Sequence, residues 1–152
     1  MIFPGSFDPF TVGHESIVKR SLDLFDRIII AVGFNTSKNS FFPIEKRLDL
    51  IKKVFANEPK VEVISYQGLT IDLCRRMNVR FILRGLRTAV DFEFERAVGQ
   101  ANKAMYQDIE SVFLLTDPEH THINSSIVRD ILIHHGDPSK FLPKSINIKD
   151  YL

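Results

Sequence analysis

The segment GSFDPFTVGH, residues 5–14, sets two glycines, a serine and a histidine between a short apolar run and an amphipathic stretch. Neither GxxxxGK[ST] nor GxGxxG fits from residue 5 onward, so the two common phosphate loops are absent and another means of holding phosphate is required. Gly5 allows a tight turn, Ser6 offers a hydroxyl, and Gly13 lets an anion approach a helix amino terminus without a Cβ in the way. His14, in the first turn of that helix, can donate to a phosphoryl oxygen whose charge grows in a transition state. The competing reading is a histidine that merely starts a helix.

Further cations and hydroxyls stand in similar places. Lys38 lies in GFNTSKNSF, Arg84 and Arg87 in RGLRT, and Ser125 and Ser126 in TDPEHTHINSS. Each of these segments follows a run of strand character. Strands are predicted at 2–3, 27–32, 61–64, 80–83 and 111–115, separated by helical periods. The helix faces are Val18, Leu22 and Phe25; Ile44, Leu48, Ile51 and Phe55; Ile71 and Cys74; Phe94, Val98, Ala101 and Met105; and Ile127, Ile131 and Leu132. Thr88 is the expected cap of the fourth helix, Ser125 or Ser126 opens the fifth and Gly136 closes it. The alternation predicts an α/β fold, a doubly wound, Rossmann-like five-stranded parallel sheet with helices on both faces. In such sheets ligands bind beyond the carboxyl ends of the strands, so the cations converge on one crevice and phosphate is the expected guest.

The chain has 152 residues, 44% of them hydrophobic, which predicts a single domain, 1–152, with residues 137–152 as a final helix or arm. Twenty basic against 19 acidic residues leave a formal charge of +1, which gives no reason to expect a nucleic acid or membrane partner. The lone Cys74 is expected in the core, and a cytoplasmic protein is expected. Asp8 is read as capping its own loop rather than binding metal. His120 and His122 are read as surface or nucleotide-loop residues, and His134 and His135 as complements to a helix dipole.

GSFDPFTVGH resembles the [ST]-x-G-H motif of the adenylyl- and cytidylyltransferase superfamily. Taken with TSK at 36–38, ILRGLRTAVDFEFE at 82–95 and INSSIVRD at 123–130, it resembles the bacterial phosphopantetheine adenylyltransferase family over nearly the whole chain. The resemblance implies a reaction in which ATP and 4'-phosphopantetheine give dephospho-coenzyme A and pyrophosphate. It implies catalytic roles for His14, Lys38 and Arg84, and acceptor contacts from Ser6, Lys38, Leu69, Thr70 and Arg84. For ATP it implies Ser6, Phe7, His14, Gly85, Leu86, Arg87 and Glu95, then Ile123, Asn124, Ser125 and Ser126. It further implies Mg²⁺ arriving with ATP without an assigned protein ligand, a homohexamer, and coenzyme A as feedback inhibitor. Asn124 stands where the family usually has serine, Lys38 is alone where many relatives have two lysines, and Met1 lies almost on the motif.

The implied acceptor is a phosphate monoester with a second pKa near 6, already mostly dianionic at neutral pH, so no general base is needed. Positioning two anions and stabilising the transferring group are the remaining tasks. Alternatives are a nucleotidyltransferase with another acceptor, against which RGLR speaks, and a nucleotide sensor without catalysis, which has no need to grip two sets of phosphates.

Overall fold

The computed structural model describes residues 1–35 and 39–152. The strands are β1 (Ile2–Gly5), β2 (Ile28–Gly33), β3 (Val61–Tyr66), β4 (Phe81–Leu86) and β5 (Glu110–Leu115), and the helices α1 (Val12–Ser21), α2 (Ile44–Val54), α3 (Thr70–Met77), α4 (Ala89–Met105) and α5 (Ser125–Ile133). The strands form one parallel sheet in the order β3-β2-β1-β4-β5. The order reverses direction at β1, so the crevice at its carboxyl end is the switch point of the sheet.

Period-two alternation sends successive side chains into two cores. Phe3, Ile28, Ile30, Val32 and Leu83 pack with Ile17 and Val18 of α1, Leu50 and Ile51 of α2, and Val128 and Leu132 of α5. Ile2, Ile29, Ala31 and Ile82 face the opposite way, against Leu73 and Cys74 of α3. Burial raises the Cys74 thiol to about 11, which leaves it an inert core residue.

Several boundaries differ from the sequence expectation. β1 runs two residues further, because Pro4 and Gly5 pair in register with Ala31 and Val32. β3 continues to Tyr66 and β4 to Leu86, so both carry ladder residues into their loops. Helix α5 is capped by Asn124, whose side chain accepts from the Ile127 amide, not by either serine. At its other end His135, with φ 58°, takes the left-handed position, and the Gly136 amide returns to the Ile131 carbonyl. The tail is an arm with two 3₁₀ turns, Ser139–Phe141 and Ile148–Tyr151. Leu142, Ile148 and Tyr151 join the first core, and the Tyr151 hydroxyl donates to Asp49 at 2.9 Å.

The apolar face of α4 is not core. None of its residues is buried, and Phe94 is 67% and Val90 79% exposed. The periodicity is present, but β5 is an edge strand, and the helix covers it only through contacts such as Phe92 against Phe113, 6.1 Å between centroids.

Gly5 is required by a close approach. A Cβ there would lie 2.7 Å from the Phe7 ring, which is wedged between Phe3 and Phe10 on a residue whose φ is 46°. Gly5→Ala is expected to cost about 1–3 kcal/mol by overpacking, a fall in Tm of roughly 3–10 °C. Thermal unfolding checks this, and an unchanged Tm would mean that the ring is free to move aside.

Candidate active site

His14 is the third residue of α1, and its place is fixed from two sides. The Thr11 backbone N–H donates to His14 Nδ1 at 3.0 Å, so the imidazole occupies the position that glutamate or glutamine takes in a capping box. A backbone amide can only donate. Nδ1 is therefore the unprotonated nitrogen, and the neutral ring carries its proton on Nε2. The Phe7 ring meets the imidazole edge-on, 5.1 Å between centroids at 87°, and Phe10 lies 5.3 Å away. Burial, followed by the positive charges of Arg87 and Arg84, lowers the His14 pKa to about 4. At neutral pH the residue is thus a directional, uncharged donor.

The two arginines reach the same cavity from the end of β4, each held by a carboxylate of α4. Glu95 takes Arg84 in a fork, Nε to Oε2 at 2.7 Å and Nη2 to Oε1 at 2.5 Å, while Nη1 donates to the Pro4 carbonyl at 2.7 Å. Arg87 pairs with Asp91, which accepts at 3.1 Å from both its backbone amide and its Nε. Thr88 caps α4 as expected, accepting from the Asp91 amide at 3.1 Å. The pairing leaves a bidentate guanidinium aimed from β4 and a second one at the helix start.

These groups surround a cavity of about 380 Å³. Of the residues expected from the sequence, Ser6, Phe7, His14, Arg84, Gly85 and Arg87 line it, as do Glu95 and the run from Ile123 to Ser126. Leu86 is buried behind it. Ser125 donates its hydroxyl to the Pro9 carbonyl at 2.8 Å, which ties the start of α5 to the loop after β1. Gly13 lies in the wall, and a Cβ there would make only ordinary contacts, the nearest at 3.7 Å to His120 and Thr11. Protein packing alone does not demand glycine at that position.

A second cavity, of about 670 Å³, adjoins the first and shares Ser6 and Arg129 with it. It lies beyond β2 and β3, with Gly33, Arg47, Tyr66 and Gly68 in its wall. Leu69 and Thr70 follow Gly68 directly, and the Thr70 hydroxyl is 2.9 Å from that of Tyr66. Lys38 lies outside the described residues. Asp8 holds a neighbouring loop rather than its own: its carboxylate accepts from the amides of Phe41 and Phe42 at 2.7 and 2.8 Å.

Sequence reasoning passed over four contributors. Thr11 sets the histidine tautomer. Arg129, four residues after Ser125, donates to the Asp8 carbonyl at 2.6 Å and to the Ser126 hydroxyl at 3.0 Å. Its position one helical turn beyond the serines was visible in INSSIVRD. Asp117 binds Ser16 at 2.5 Å and Arg20 at 3.2 Å, fastening the loop after β5 to α1. Arg47 left no sequence clue, being one of several cations in EKRLDLIKK. Among the described residues no cluster of three metal-ligating side chains occurs, and the cavity carboxylates Asp91 and Glu95 are both engaged by arginines.

The switch-point crevice and the helix-start histidine define a nucleotidyltransferase of the cytidylyltransferase-like kind, and that family's model matches residues 2–131. A Vibrio parahaemolyticus crystal structure provisionally described as a nicotinate-nucleotide adenylyltransferase shares the fold, with a TM-score of 0.67 at 20% identity over 95% of this chain and 93% of that one. Curated proteins named phosphopantetheine adenylyltransferase are much nearer in sequence. That of Flavobacterium psychrophilum is 52% identical over 148 residues, 97% of both chains. That of Bacteroides fragilis is 46% identical over 147 residues, also 97% of both, and that of Nautilia profundicola 44% over 149 residues, 98% of this chain and 96% of the other. The chain belongs to the phosphopantetheine adenylyltransferase family.

The histidine makes stability depend on pH. In the unfolded chain His14 takes up a proton as pH falls through about 6.5, whereas in the fold it does so only near about 4. The unfolded state binds the proton first, so stability present above pH ~6.5 is lost on acidification, up to about 3 kcal/mol by pH ~4. His14→Gln should therefore lose less Tm than the parent between about pH 7 and about pH 5. Parallel curves would overturn the assignment of a desolvated, neutral imidazole.

Proposed function

We propose that the protein transfers the adenylyl group of ATP to the phosphate of 4'-phosphopantetheine, releasing pyrophosphate and forming dephospho-coenzyme A. The observation that carries this reading is the neutral His14, its Nε2–H free to donate, in one cavity with Arg84 and Arg87. ATP is read in the smaller cavity, with its β and γ phosphates toward Arg87, Ser126 and the amino terminus of α5. The acceptor is read in the larger cavity, its phosphate near Ser6 and Arg84 and its arm toward Leu69 and Thr70, with Lys38 read as a further phosphate contact.

An acceptor phosphate oxygen forms the new bond to the α-phosphorus, and the bond from that phosphorus to the β-bridging oxygen breaks, the electron pair leaving with pyrophosphate. The dianionic acceptor needs no base. His14 donates from Nε2 to a non-bridging α oxygen as charge develops there. Glu95 keeps the Arg84 fork pointed, and Arg87 exchanges part of its contact with Asp91 for phosphate oxygens. Mg²⁺ is read as entering with ATP, held by phosphates and water.

The same reading takes residues 1–152 as one domain working in the cytoplasm as a homo-oligomer. The exposed Val90, Phe92, Phe94 and Val98 of α4 support self-association. Coenzyme A, built on the product skeleton, is read as an end-product inhibitor spanning both cavities.

Pyrophosphate release from ATP, Mg²⁺ and a panel of acceptors tests the assignment: 4'-phosphopantetheine should support it and unphosphorylated pantetheine should not. Equal rates would sink it. His14→Ala should lower kcat by roughly two to four powers of ten with little change in ATP affinity; a preserved kcat would reduce His14 to a helix-start residue. Arg84→Ala should raise KM for the acceptor more than for ATP, and Arg87→Ala the reverse, each by roughly ten- to a hundredfold. Identical effects on both substrates would mean a diffuse positive potential rather than two assigned contacts.

A further inference from the structure

Arg47 has no part in the reading above, although its surroundings are unusual for a cation. It occupies the core-facing side of α2 beside Leu50 and Ile51 and is 3% exposed. Nη1 donates to the carbonyls of Ser6 at 2.7 Å and Gly33 at 3.3 Å, and Nη2 to the Ser40 hydroxyl at 3.3 Å. Its Nε is buried with no hydrogen-bond partner among the described residues. Every acceptor that it has among the described residues is neutral. Asp8 and, less strongly, Glu45 favour its charge from a distance, but neither forms an ion pair with it, and the Asp8 carboxylate is already committed to two backbone amides.

A buried cation without a carboxylate partner is costly, and folds retain one where an anion offsets the cost. Arg47 lies in the wall of the larger cavity, directly behind Ser6, where the two cavities meet. The phosphate of an acceptor must reach this junction to attack an α-phosphorus held beside His14. We propose that Arg47 is a specificity-determining positioning residue whose buried charge makes the acceptor site select a phosphate monoester over the corresponding alcohol. The inference rests on the proposed acceptor reaction. Arg47 acts on the phosphate through space and through the Ser6 segment that it holds, in contrast to Arg84, whose fork is already balanced by Glu95.

A strut that only ties β1, β2 and the segment at Ser40 together would affect all ligands alike. Selection by charge would not. Isothermal titration of the intact protein with 4'-phosphopantetheine and with pantetheine gives two dissociation constants whose ratio measures the preference for phosphate. Arg47→Gln keeps amide donors and removes the charge; it should lower that ratio by roughly tenfold, the size of a unit charge acting across about 12 Å at an effective dielectric of about 20. Its affinities for pantetheine and ATP should change much less. Arg47→Lys keeps the charge and should retain most of the preference. An unchanged ratio in the glutamine variant, or equal loss of the ratio in both variants, overturns the inference. Should the glutamine variant not fold, the lysine variant decides alone: a folded protein that has lost the preference overturns the inference, and one that keeps it supports charge as the determinant. A parent protein that does not prefer the phosphorylated acceptor would instead overturn the acceptor reaction itself.

Discussion

The bond from the Thr11 amide to His14 Nδ1 is the contact on which the site depends. It completes the start of α1, chooses the tautomer and directs the remaining N–H into the cavity. A helix amino terminus already favours anions through its free amides and dipole, and this one adds a side-chain donor locked in the same direction. The lock is aromatic as well as polar. Phe7, in the left-handed region and overlying Gly5, sets its ring against the imidazole, so the backbone path of the whole loop is tied to the orientation of one side chain. Strain of this kind persists only where packing over-determines it, and here Phe3 and Phe10 supply that packing.

Much of this arrangement was legible in the sequence, and what was hidden has a common cause. Apolar runs gave the parallel sheet, since strands buried on both faces must be continuously hydrophobic. The loops followed from the sheet, and with them His14, Arg84, Arg87 and the serines. Hidden were the partners: Glu95 is 11 residues from Arg84, Phe41 is 33 from Asp8, and Ser6 is 41 from Arg47. Such contacts run either between βα units or, for Arg84 and Glu95, from a strand to the second turn of the helix that follows it, and no local period records them. The exposed stripe of α4 shows the opposite failure. Its period was read correctly as a helix face, but periodicity says only that a face is apolar and not whether the same chain covers it.

The cations of the crevice fall into two groups by partner. Arg84 and Arg87 are paired with Glu95 and Asp91, so their charges are largely offset before a substrate arrives. Arg47 and Arg129 are hydrogen-bonded to carbonyls and hydroxyls, which fix their direction, and neither forms an ion pair among the described residues. A chain with a net charge of +1 can in this way hold a strongly positive crevice without a strongly positive surface.

The division also separates two physical tasks. A guanidinium held in a fork by a carboxylate has lost its rotational freedom, and phosphate can bind its open edge at little further entropic cost. Its field is weak at a distance, however, because the paired acid cancels most of it. A guanidinium held by neutral acceptors keeps its long-range field, which grows in effect where water is excluded. Orientation at contact and attraction at range are therefore assigned to different residues, and both are needed where two polyanions must be brought within bonding distance of one another. Ser6 sits where the two kinds of cation meet: its residue lines both cavities, and its carbonyl is the anchor of Arg47. A shift of that short segment would move the attacking phosphate, the buried charge behind it and the loop carrying Phe7 together, which makes the end of β1 the part of the fold least able to tolerate displacement.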